Sequence, residues 1–131
     1  MELKKDLMNQ FECKDCGPMD EYVGCTIEKL DTGGIKFRQK VLLQSYRAEF
    51  NILKLKKFNT PAAPGMVLRK PDEGKEVLTS AKQMQYCSGV GKGMHMIQYS
   101  WPDTYNAVHH LERHMTSATQ VQYNAMLRMM K

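Results

Sequence analysis

At 131 residues the chain is long enough to bury a real core, as one domain or as two small subdomains. With 25% charged and 42% hydrophobic residues it is neither a disordered polyelectrolyte nor a membrane-buried chain, and no apolar run reaches the length of a span. The net charge of +5 is unevenly spread: residues 1–35 carry −4 (four Lys, eight Asp/Glu), 36–58 carry +6 (seven Lys/Arg, one Glu) and 59–131 carry +3 (eight Lys/Arg, five Asp/Glu).

Residues 2–10 predict a short amphipathic helix, with Leu3, Leu7 and Phe11 at helical spacing. The acidic residues of Met1–Asp6 and the lack of an apolar h-region argue against a signal peptide. An intracellular chain with reduced cysteines is therefore expected, cytoplasm and nucleus not being distinguished. Cys13 to Gly17 read as a connector that Pro18 ends. Glu21–Glu28 and Ile35–Gln39 predict two strands around the glycine-bearing turn Leu30-Asp31-Thr32-Gly33-Gly34. Val23, Cys25 and Ile27 alternate with Tyr22, Gly24, Thr26 and Glu28, as Ile35 and Phe37 do with Lys36, Arg38 and Lys40, giving one apolar face and one polar face with the cations together. A lone hairpin is marginally stable, so this one needs something to lie against.

Residues 40–57 predict a helix with the apolar stripe Leu43, Tyr46, Phe50 and Leu53, and with Lys40, Arg47 and Lys54 recurring every seventh residue on another face. Asn59–Thr79, broken by three prolines and two glycines, reads as a long surface loop and the expected hinge or subdomain boundary. Three helices follow, over 81–99, 102–115 and 119–131. Ser80/Gln83, Ser100/Asp103 and Ser117/Gln120 have the spacing of capping boxes, and Pro102-Asp103 suits a first helical turn. Cys87, Val90, Met94 and Ile97 are expected to face inward from the first, Tyr105, Val108, Leu111 and Met115 from the second, and Tyr123, Leu127 and Met130 from the third. Gly89, Gly91 and Gly93 each cost about 1 kcal/mol in a helix interior, which a close neighbouring backbone would offset. The architecture is thus α+β, an N-terminal helix and hairpin followed by a mostly helical region.

Several motifs invite chemistry. Cys13-x-x-Cys16 is half of a zinc set that Cys25, Cys87 or a His could complete, but no second pair follows. His110 and His114 share a helix face, yet Leu111 stands where a zincin requires Glu. Gly89-Val90-Gly91-Lys92-Gly93 lacks the first glycine and the terminal Ser/Thr of a phosphate loop, which leaves helix packing. The eleven methionines fall mostly on inward helical positions, where Met fills gaps. No metal and no cofactor is implied. The cations Lys36, Arg38, Lys40, Arg47, Lys54, Lys56 and Lys57 form the best candidate, a footprint for phosphates along one groove.

Three ordered stretches carry a family resemblance. Phe11-Glu12-Cys13-Lys14-Asp15-Cys16-Gly17 and then Tyr22-Val23-Gly24-Cys25-Thr26-Ile27-Glu28 resemble a Phe-x-Met-Lys-Asp-Leu-Gly connector followed by Tyr-Phe-Leu-Gly-Ile-Glu. Thr60-Pro61 stands in the place of a Thr-Pro after a first thumb helix. Tyr86-Cys87-Ser88-Gly89-Val90-Gly91-Lys92, Pro102-Asp103 and Ala107-Val108 resemble Tyr-x-Ser-x-Val-Gly-x-Leu and Arg-Pro-Asp-Ile-x-x-Ala-Val. The family is the reverse transcriptase of copia-type LTR retrotransposons, and the resemblance spans nearly the whole chain.

The resemblance implies that residues 1–39 are a palm remnant and that Tyr22, Val23 and Gly24 match the primer grip. It implies that residues 40–131 are thumb and connection, with 59–79 as hinge, and that the partner is a template–primer duplex, with palm sequence upstream and RNase H downstream in a parent polyprotein. The catalytic Tyr-Val-Asp-Asp motif is absent and no Asp-Asp pair occurs, so the two-metal chemistry of polymerisation is not expected of this chain alone. The family has apolar residues in the places of Cys13 and Cys16, so the resemblance implies small buried thiols there instead of zinc ligands. Trp101 stands where the family usually has Arg. The alternative from another class is a small nucleic-acid- or protein-binding module derived from such an element.

Overall fold

A computed structural model describes residues 2–52, 57–70 and 76–131. Helix α1 (Glu2–Gln10) leads into a three-stranded antiparallel sheet, β1 (Glu21–Tyr22), β2 (Cys25–Lys29) and β3 (Ile35–Arg38), in the order β1-β2-β3. Helices α2 (Lys40–Phe50), α3 (Ser80–Tyr99), α4 (Tyr105–Glu112) and α5 (Gln120–Met129) follow, with a 3-10 turn at Pro102–Thr104 before α4. The α+β architecture is the one the sequence predicts.

The sheet departs from a simple hairpin. The first expected strand is cut by a turn at Val23 and Gly24, with φ of +48° and +73°. Two successive positive φ values match the twist of a two-residue hairpin loop, so Tyr22 pairs with Cys25 and Glu21 with Thr26. The second turn falls at 30–34 as expected, closed by Leu30 and Gly34, and sets Ile27 opposite Phe37 and Glu28 opposite Lys36. Partners share a face, so Tyr22, Cys25, Ile27, Ile35 and Phe37 lie on one side and Glu28, Lys36 and Arg38 on the other.

Helix α2 is shorter than its apolar period suggests. It ends at Phe50 because Asn51 takes the left-handed conformation, φ +51°, which asparagine tolerates as a helix stop. Leu53, Lys54 and Lys56 lie outside the described residues.

The core is helical. Tyr46 and Phe50 of α2 pack with Tyr86, Val90 and Met96 of α3, Val108 and Leu111 of α4, and Met126 and Met129 of α5. Two buried phenols find partners: Tyr46 donates to the Gly89 carbonyl and Tyr86 to the Leu111 carbonyl, each at 2.6 Å. Desolvation pushes both hydroxyls well above the usual phenol range. Close approach at two of the α3 glycines is side chain rather than backbone: a Cβ at Gly89 would run into Met126 and Met130, and one at Gly93 would meet Met129 and Val108. Gly91 faces open space. Met94 and Tyr105, expected inward, are exposed, because the α3–α4 contact takes only part of each stripe.

The serine caps fall differently too. Ser80 is already helical, with Thr79 as the flanking residue. Ser100 donates to Gln39 Oε1 at 2.5 Å. The capping box belongs to Thr119 and Gln122, the Thr119 N–H donating to Gln122 Oε1 at 2.9 Å. Gln122 Nε2 also donates to the Arg69 carbonyl at 2.8 Å, and Leu78 N–H donates to the Ala118 carbonyl at 2.9 Å. The described parts of the long loop are thereby fastened to the start of α5. No helix among the described residues is long and apolar enough to cross a membrane.

Candidate nucleic-acid interface

The candidate residues fall into three groups along the chain. Tyr22, Val23 and Gly24 form the β1–β2 turn, where Tyr22 and Val23 are half exposed. Val23 is a β-branched residue held at positive φ, a conformation that costs about 1–3 kcal/mol and is concentrated at functional turns.

The second group gathers around one carboxylate. Lys36 and Arg38 share the polar sheet face with Glu28; Arg38 contacts Glu28 at 3.0 Å and Lys40 reaches it at 3.9 Å. All three side chains are partly open to solvent, so the pairings are weak and a phosphate can compete for the cations. Lys40 opens α2, which carries the track onward: Arg47 is seven residues on, nearly in line along the helix and about 10 Å away.

The third group lies at a cleft of about 270 Å³ between α2, α3 and the end of α5. Arg47 and Lys57 line it, and so does Lys131, which composition did not single out because it is 74 positions from Lys57. Only the packing of α5 against the helical body brings it there. The basic track thus runs from the β3 face through Lys40 to Arg47, Lys57 and Lys131. Lys92 is held apart from it by a short ion pair with Glu49.

The remaining motifs are not assembled into chemistry. Cys13 and Cys16 are exposed, correcting the expectation that they are buried; the connector folds back only against α1, where Cys13 Sγ meets the Leu7 carbonyl and Asp15 pairs with Lys4, and neither thiol is covered. Cys25, expected on the apolar side of its strand, is the fully buried thiol of the sheet. No three His, Cys, Asp or Glu side chains converge in a metal-holding group among the described residues. His110 is exposed while His114 is buried, so the shared helix face does not make a shared site. Burial lowers the His114 pKa, opposed by a hydrogen bond to the Leu68 backbone and assisted by Lys70, Arg113 and His110 nearby.

Comparison with protein-family models, curated proteins and solved structures found no match to the chain.

Proposed function

We propose that the chain grips the backbone of a nucleic-acid duplex, as the primer-grip, thumb and connection segment of a copia-type reverse transcriptase, without catalytic activity of its own. The observation that carries this reading is the basic track: Lys36 and Arg38 on one sheet face, then Lys40 and Arg47 in line along α2, then Lys57 at the cleft. Cations spread over two elements suit an extended polyanion better than a compact anion, and backbone contacts of this kind carry no sequence information. The strained Val23 turn stands where the resemblance puts the primer grip. Template–primer duplex is then the partner, and the exposed apolar residues of α1 and the sheet suit packing against further polypeptide of a parent polyprotein.

The test is duplex binding as a function of salt. With three to five phosphate contacts, log K falls against log salt with a slope of about −3 to −4, equally for unrelated sequences. A flat response, or marked sequence preference, overturns the reading. The second reading, a protein-binding module, is favoured by the apolar sheet face and predicts no duplex affinity at low salt.

A further inference from the structure

The cleft that ends the basic track is more than a set of cations. Beside the cations that a duplex backbone can use at its rim, it is a concavity with an apolar floor of Leu43, Tyr46, Met96 and Met130. The Tyr46 hydroxyl is already satisfied by the Gly89 carbonyl, so the floor presents no unpaired polar group from it. Trp101, 39% exposed at the corner before α4, forms one wall. Arg47, Lys57 and Lys131 supply the positive charge, and no carboxylate side chain is among the described lining residues.

Size and chemistry restrict the occupant. About 270 Å³ is at the small end of ligand pockets, room for one ring system but not for an acyl chain or a peptide helix. A flat ring beside an indole gains stacking, which every nucleobase can provide. An anionic group on that ring meets three cations, two of them primary amines and one a guanidinium able to take two phosphate oxygens at once. Inorganic phosphate would use the charge and leave the apolar floor wet, whereas an uncharged ring would leave the cations unused.

We propose that the cleft binds a single nucleotide, its base against Trp101 and its phosphate at Arg47, Lys57 and Lys131. The nucleotide is either free or the unpaired end of a strand lying on the basic track; only the second source rests on the duplex-gripping reading.

Trp101 is the single tryptophan of the chain, so intrinsic fluorescence reports on this wall directly. The full chain is titrated at low salt with adenosine 5′-monophosphate, adenosine and inorganic phosphate, and separately with a blunt duplex and the same duplex bearing a one-nucleotide overhang. The expected result is a saturable change with the monophosphate, or with the overhang duplex alone if the strand end is the source. Adenosine and phosphate bind about tenfold more weakly or worse. Arg47→Ala weakens the response about tenfold with unchanged circular dichroism. Trp101→Leu, followed by calorimetry, loses about tenfold or more. No fluorescence change with any probe up to millimolar concentration, or equal responses to phosphate alone and to the monophosphate, overturns the proposal. So does a blunt duplex that acts as the overhang duplex does while the monophosphate is silent. Duplex binding without a Trp101 response removes this site and leaves the grip; a response to the monophosphate without duplex affinity does the reverse.

Discussion

The two ends of the molecule treat the same kind of side chain in opposite ways. In the helical body, Tyr86, Val90 and Met126 are fully shielded from water. In residues 2–38, Cys25 is the one buried side chain described, while Ile35 is 59% and Phe37 45% exposed on the apolar sheet face. Leu3, Leu7 and Phe11 of the α1 region are also open. Periodicity is equally good in both regions, so the difference is one of partners. Four helices cover one another; the apolar face of the three-stranded sheet is covered around Cys25 but left open at Ile35 and Phe37. The joint between them is polar: buried Gln39 donates to the His95 carbonyl at 3.4 Å and accepts from Ser100. The lesson is that an amphipathic pattern specifies which face is apolar but not what will cover it.

The largest contrast comes from truncation. Met126→Ala, in the core, lowers stability by about 2–5 kcal/mol through lost burial and the cavity left behind. Phe37→Ala, on the open sheet face, changes it by about 0.5 kcal/mol or less, as surface substitutions do. Denaturant melts of the two variants measure this, and equal losses would mean that the sheet face is covered after all.

Acidification comes next. His114 is buried with Nδ1 lacking a partner among the described residues, and its pKa is lowered first by desolvation. Lys70, Arg113 and His110 further disfavour its proton, while the Leu68 backbone bond favours it. The unfolded chain therefore takes up this proton before the folded one does. Stability is intact above the ordinary histidine range near pH 6.5 and declines as pH falls through it towards the folded value, by at most about 1.4 kcal/mol per pH unit for one proton. His114→Leu removes that component of the slope. Thermal melts between pH 7.5 and 5 check the sign, which would be reversed if a hidden carboxylate held the imidazolium.

Smaller gains separate strain from open space. Val23→Asn relieves a β-branched residue at positive φ and raises stability by about 0.5–1 kcal/mol. Gly91→Ala, where an added methyl meets nothing within 4 Å, gains about as much by helix propensity. Val23→Asn is also informative for function, since a strained turn retained for gripping loses duplex affinity when relaxed. A melt that finds either variant less stable contradicts the local geometry.

Much of this architecture was legible from residue order. Ser80 and the helical spacing of Cys87, Val90 and Ile97 gave α3 within one residue of its start, and the turn at Leu30–Gly34 fell where it was expected. What was not legible has local causes. A valine at positive φ is too rare to be expected, so the Val23-Gly24 turn was hidden inside an apparent strand. Asn51 stops α2 by a backbone conformation that leaves the apolar stripe unbroken, which is why the period runs past the true end. Serine at three capping positions looks as good as threonine at one; the choice is made by Gln122, whose amide is also needed by Arg69. At the candidate site, Lys36, Arg38, Lys40, Arg47 and Lys57 were readable as charge, whereas Lys131 and Trp101 join them only through the packing of α5 and the corner before α4.

The central claim is that Arg47 and Lys57 hold phosphates, and neutralising them tests it most directly. Arg47→Gln with Lys57→Gln makes the slope of log K against log salt shallower by about 2 and weakens duplex binding uniformly across sequences. Lys82→Gln, near the start of α3 and about 20 Å along the helix from the cleft-lining Met96, leaves the slope unchanged. A double variant that keeps the full slope, or a Lys82 variant that loses as much, contradicts the account.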